Sequence, residues 1–112
     1  MTAERMPRIL IVGAGGIGGL TFDLIVPALE KVGQKCSITI MDGDTVEASN
    51  LGHQRFSSSD IGSFKTAALV QKYESLKNVY CVSDTENLRV KEQLQEFDYI
   101  IIGVDRPHPR RL

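Results

Sequence analysis

Two short runs in this chain are apolar at every position, Ile9-Leu-Ile-Val12 and Tyr99-Ile-Ile-Ile102. A strand that is apolar on both sides is a strand covered on both faces, which is how strands of a parallel sheet read. The first strand therefore runs Arg8 to Val12 and the fourth from Tyr99 to Gly103. Between them the period changes. From Ile17 to Val32 the apolar residues Leu20, Leu24, Ile25, Ala28 and Leu29 recur at helical spacing, and Gly33 supplies a stop. Pro27 inside this helix removes one backbone donor and predicts a kink or break near Ile25. Ser37 to Met41 is a second strand, followed by a long polar loop to Ser59. A second helix is predicted over Ile61 to Leu76 with Ser59 or Asp60 as its cap, then a third strand over Asn78 to Ser83 and a third helix over Asn87 to Phe97. Alternating strands and helices predict an α/β, Rossmann-like parallel sheet with right-handed crossovers and flanking helices.

The chain has 112 residues, enough for a single domain. It stops nine residues after the fourth strand, so residues 1–112 read as one interrupted nucleotide-binding domain with a sheet edge and part of one face uncovered. A formal net charge of -1 offers no basic surface for a nucleic-acid backbone. No apolar stretch near the N-terminus is long enough for a leader or a membrane span, which predicts a soluble, cytoplasmic protein. Cys36 and Cys81 form no CxxC pair and are expected to be buried small hydrophobes, not a zinc site.

The chemistry concentrates where strands end. Gly13-x-Gly15-Gly16-x-Gly18 lies at a strand-to-helix turn, where glycine lets the backbone approach a phosphate and the helix N-terminus offers free N–H groups. Asp42 ends the second strand 24 positions after Gly18, near the spacing at which a carboxylate meets the ribose hydroxyls of a bound nucleotide. Asp44 is equally suited to a turn role or to ligand contact. Lys65 follows Asp60-Ile-Gly62, and a cation at a helix start gains nothing from the helix dipole, so something negative is expected nearby.

The segment Asp42-Gly-Asp44-x-Val46-x-x-Ser49-Asn50-Leu51-Gly-His53-Gln54-Arg55, with Asp60-Ile-Gly62-x-x-Lys65 after it, resembles the ThiF, MoeB and HesA family. That family is similar to the adenylation domains of ubiquitin-activating enzymes. The resemblance implies ATP and Mg2+ as cofactors, with the glycine turn holding the nucleotide and Asp42 on the ribose. It places Asn50 and Lys65 on the triphosphate, Asp105 at the magnesium ion, and Arg110 where the family often has arginine. The chain departs from the pattern at His53, which stands where the family carries a phosphate-contacting arginine. Histidine lacks the planar fork of arginine, so either Arg55 takes over, or His53 works in part, or the site is poor at catalysis.

The implied reaction is adenylation of the C-terminal carboxylate of a ubiquitin-like or sulfur-carrier protein, with Arg55, Lys65 and Asp105 as the catalytic set. A homodimer is implied as well. Two alternatives stand beside it. An NAD-binding oxidoreductase domain would use the glycine turn and Asp42 but leave Asn50, Lys65 and Asp105 without a purpose. A non-catalytic protein-binding module would account for His53.

Overall fold

The computed structural model describes residues 6–51 and 56–103. Its strands are β1 (Arg8–Val12), β2 (Cys36–Met41), β3 (Val79–Asp84) and β4 (Tyr99–Ile102), and its α-helices are α1 (Gly16–Lys31) and α2 (Lys65–Gln71). All neighbouring strands are parallel, in the order β3-β2-β1-β4. The chain passes from β1 to β2 to β3 on one side of β1, and the last crossover returns from β3 to β4 on its other side. The strand order therefore reverses at β1, the switch point at which open α/β sheets bind ligands outside the carboxyl ends of their strands.

Both helices of the main core lie on one face, where Ile11, Ile38 and Ile40 meet Phe22 and Val26 of α1 and Leu69 of α2. Gly18 and Gly19 bring α1 close to the sheet. A Cβ on Gly18 would lie 1.8 Å from the Gly13 carbonyl oxygen, and one on Gly19 2.6 Å from that of Ala14. The opposite face is thinner: Leu10, Val12 and Met41 are covered by Leu88, Leu94 and Phe97 from the link between β3 and β4. β4 is an edge strand with Tyr99, Ile100 and Ile102 exposed, so its apolar run, unlike that of β1, does not mark a strand covered on both faces.

Three further expectations change. Pro27 does not break α1, which continues to Lys31. Pro27 lies on the exposed side of the helix, where the carbonyl that loses its donor can turn to water. The second helix spans Lys65–Gln71 and not Ile61 to Leu76. Residues 62–65 are paired instead with 44–46: Gly62 N donates to Val46 O, Val46 N to Ser63 O and Lys65 N to Asp44 O, with Thr45 and Phe64 bridged antiparallel. The third helix contracts to a 3-10 turn over Lys91–Leu94. The Gln93 side chain takes the Arg89 and Val90 N–H groups and donates to the Asn87 carbonyl, which a helix would have paired with the Lys91 N–H. Cys36 and Cys81 sit on β2 and β3 as small apolar fillers, and burial pushes the Cys81 thiol up to about 12.

Two polar clamps hold the helices. Asp23 of α1 accepts from the Tyr73 hydroxyl at 2.6 Å and from Lys72 Nζ at 2.9 Å, fixing α1 to the end of α2. Glu30, near the end of α1, accepts from the backbone N–H groups of Asn78 (2.9 Å), Val79 (3.0 Å) and Lys77 (3.3 Å) and so fixes the start of β3. Desolvation raises the Glu30 pKa, but the donated hydrogen bonds together outweigh it and hold the carboxyl below its ordinary value of 4.5. A carboxyl with a lowered folded pKa contributes stability above its unfolded value and loses it as pH falls through the folded one. Glu30→Gln is therefore expected to melt below the wild type at pH 7, with the gap in Tm closing as both are titrated below the ordinary carboxylate range. A gap that stays constant with pH removes the ionised carboxylate from this clamp.

Candidate functional site at the ends of β1 and β2

Every strand of a parallel sheet delivers its following loop to the same end, and here that places the glycine turn beside the Asp42-Gly43-Asp44 turn. Gly13 has φ 102° and Gly16 φ 48°, conformations that residues with a Cβ rarely adopt. Gly15 is extended and is the N-cap of α1, with no side chain occupying the cap. The first turn of α1 holds no acidic residue. Its free N–H groups and positive dipole end face the C-terminal end of β1 with no anion supplied by the helix itself.

Asp42 joins the two turns. One carboxylate oxygen accepts from Ala14 N at 2.7 Å, the other from Asp44 N at 2.8 Å. Each oxygen keeps a second lone pair, so the carboxylate can still receive donors from a ligand. Asp44 continues the chain of contacts by accepting the backbone N–H of Lys65 at 2.9 Å. The predicted residues Gly13, Gly15, Gly16, Gly18, Asp42, Asp44, Asn50 and Lys65 are thereby drawn to one end of the sheet. His53, Arg55, Asp105 and Arg110 lie outside the described residues.

Gly43, Asp44, Thr45, Glu47, Asn50 and Lys65 line a polar hollow of about 360 Å³. The Lys65 side chain is only 10% exposed, and its nearest opposite charge, the Asp44 carboxylate, lies 4.0 Å away on a side chain 69% exposed. Among the described residues no acceptor lies within hydrogen-bond distance of its ammonium. A buried ammonium without a close partner costs stability. Asn50 contributes differently. Its Oδ1 accepts from Glu47 N at 2.7 Å in the cap of a 3-10 turn, which leaves its Nδ2, a donor suited to an anion, for the hollow.

Two residues of this region escaped the sequence. Asn87, beyond β3, accepts the Gly43 N–H at 2.9 Å, a contact 44 positions apart that no local pattern signals. Gly103 after β4 packs on Gly18: a Cβ there would lie 2.8 Å from Gly18 N. The abrupt glycine at the end of an apolar strand was the available clue to that close approach.

The ThiF family model matches residues 3–112. This chain belongs to the ThiF family. Among curated relatives it is 32% identical to the adenylyltransferase and sulfurtransferase uba4 of Aspergillus fumigatus, the match covering 96% of this chain and 22% of that protein. It is 29% identical to the ATP-dependent ubiquitin transferase-like protein Cap2 of Enterobacter hormaechei, covering 87% of this chain and 16% of that one. The ThiF-family chain thus spans less than a quarter of the length of either relative. Among solved structures it superposes on Escherichia coli MccB with a TM-score of 0.69 at 25% identity, covering 90% of this chain and 28% of that one. Escherichia coli tRNA N6-threonylcarbamoyladenosine dehydratase, solved with ATP, gives a TM-score of 0.74 at 21% identity over 92% of this chain and 43% of that one, a likeness of fold.

If Asp42 is the tie between the turns of this ThiF fold, Asp42→Ala leaves two backbone donors without their charged acceptor and should cost about 2–3 kcal/mol in a urea titration. Asp42→Asn, which keeps one acceptor oxygen, should recover roughly half of that. An Asp42→Ala midpoint equal to that of the wild type would show that the two turns hold their shape unaided.

Proposed function

We propose that this chain supplies the ATP-binding part of an enzyme that adenylates the C-terminal carboxylate of a ubiquitin-like or sulfur-carrier protein. The observation that carries the proposal is the ammonium of Lys65, buried beside a polar hollow at the sheet's switch point without a hydrogen-bonded counter-charge among the described residues. A polyphosphate would supply that charge. The free N–H groups at the start of α1 and the Nδ2 of Asn50 would add donors, and the open lone pairs of Asp42 would receive the ribose hydroxyls. Uba4 is named an adenylyltransferase and Cap2 an ATP-dependent ubiquitin transferase-like protein, which supports the same direction.

In the proposed reaction a carboxylate oxygen attacks the α-phosphorus of ATP, the bond to the bridging oxygen of the β-phosphate breaks, and pyrophosphate leaves with its electron pair. No base is required, because a C-terminal carboxyl with an ordinary pKa of about 3.5 is already ionised at neutral pH. The protein's share is alignment of the two reactants and neutralisation of charge that would otherwise repel the nucleophile. Among the described residues no group of three or more histidine, cysteine or acidic side chains could hold a metal ion. By family resemblance Asp105, which lies outside the described residues, would help to hold a magnesium ion. No helix among the described residues is long and apolar enough to cross a membrane. Cytoplasmic location and a homodimer complete the proposal by family resemblance.

Calorimetry of the chain with ATP and magnesium against NAD separates this proposal from a dinucleotide-binding domain: ATP is expected to bind and NAD is not. Lys65→Met should weaken ATP by about 10- to 100-fold, the loss of a charge-assisted contact. The same variant should unfold at an equal or higher temperature, because it removes a buried and poorly paired charge. Unchanged ATP affinity together with a lower Tm would make Lys65 a structural residue and take away the main support. Pyrophosphate exchange with candidate carriers then tests the adenylation step.

A further inference from the structure

We propose, resting on the nucleotide proposal, that Asn87 is a positioning residue that holds the Asp42-Gly43-Asp44 turn in the shape that receives the ribose. The amide of Asn87 lies flat against Gly43. Its Oδ1 accepts the Gly43 N–H at 2.9 Å, and a Cβ on Gly43 would meet Nδ2 at 2.9 Å and Cγ and Oδ1 at 3.1 Å each. The N–H donor fixes which way the amide faces, since only the oxygen can accept it. Glycine at 43 is what permits the approach.

Asn87 is itself held from behind. Gln93 donates to the Asn87 carbonyl at 3.3 Å and accepts from Arg89 N at 2.6 Å and Val90 N at 2.9 Å, which fixes the loop carrying Asn87 to the 3-10 turn before β4. The backbone on either side of Gly43 is already engaged. Asp42 N donates to Asp84 O at 3.0 Å, and Asp44 N donates to the Asp42 carboxylate at 2.8 Å. Gly43 N is the one amide of the turn whose acceptor comes from a side chain outside it, and that side chain is exposed. Asn87 touches neither of the carboxylate oxygens that would meet a ribose. It acts through the turn, so its effect should fall on recognition of the sugar hydroxyls and leave the phosphate-binding groups Lys65 and Asn50 in place.

The test compares ATP with 2′,3′-dideoxy-ATP on the full chain by calorimetry, for wild type, Asn87→Ala and Asn87→Asp, with hydrogen exchange of the Gly43 amide measured without nucleotide. The wild type is expected to prefer ATP by about tenfold, the worth of a good ribose contact. Asn87→Ala should reduce that preference to about twofold and lose protection of the Gly43 amide, while dideoxy-ATP binds nearly as before. Asn87→Asp keeps the acceptor for Gly43 and should restore the preference, even if its charge lowers both affinities. A preference that Asn87→Ala leaves unchanged, or an equal loss for both nucleotides, overturns the role of Asn87 alone. A wild-type chain that binds neither nucleotide overturns the nucleotide proposal and the positioning role with it.

Discussion

The carboxylate of Asp42, set between the N–H of Ala14 and the N–H of Asp44, is the contact on which the geometry of the site depends. β1 and β2 pair in register as far as Val12 and Met41, and Gly13 N still reaches Met41 O at 2.8 Å. Beyond that point the sheet no longer supplies partners, and two chain segments rich in glycine would be free to separate. One charged acceptor bridging them replaces the missing ladder bonds. Because an ionised carboxylate accepts on both oxygens and keeps lone pairs on each, the same group can fix the turns and remain open toward a ligand.

From that tie the remaining contacts follow in sequence. Asp44 fixes the backbone of Lys65, and the antiparallel pairing of 62–65 with 44–46 delays the start of α2 so that Lys65 becomes its first residue. Had the helix begun at Ile61, Lys65 would stand one turn further along it, away from the Asp44 turn. Two positive features then face the same end of the sheet, an α1 N-terminus without an acidic first turn and a buried ammonium. Neither is paired within the described chain in a way that lowers its cost, and both lower their cost when an anion arrives.

What the sequence disclosed depended on the range of the interaction. β1 was legible because a run such as Ile9-Leu-Ile-Val12 reports burial on both faces without reference to any other segment; β4 carries a similar run and was found as a strand, but it lies at the sheet edge with Tyr99, Ile100 and Ile102 exposed. Asp42 was legible because it comes at the end of a strand, and Lys65 because it follows the Asp60-Ile-Gly62 pattern, even though the helix start assumed there was wrong. The start of α2 was not legible, because it is set by hydrogen bonds from Gly62 and Lys65 to a loop about 20 residues earlier, and helical periodicity of the side chains carries no trace of them. The third helix failed on the same ground: Leu88, Leu94 and Phe97 do face the sheet, but the Gln93 side chain occupies the Asn87 carbonyl that the first helical turn would have used. Asn87 had no local signature, its role being defined only by Gly43 on another crossover.

The distribution of stabilising contacts fits a domain that accepts a cost at its ligand end. The clamps made by Asp23 and Glu30 tie the helices to each other and to the start of β3, and they sit on the helix side of the sheet, away from the Asp42 turn. They use well-oriented charge-assisted bonds where no ligand is expected. At the other end the molecule keeps Lys65 poorly paired, the α1 cap empty and Gly13 and Gly16 in left-handed backbone, each of them a departure from what stability alone would select. Departures gathered at one end of a sheet, and at its switch point, are what the proposed binding of a nucleotide there would compensate.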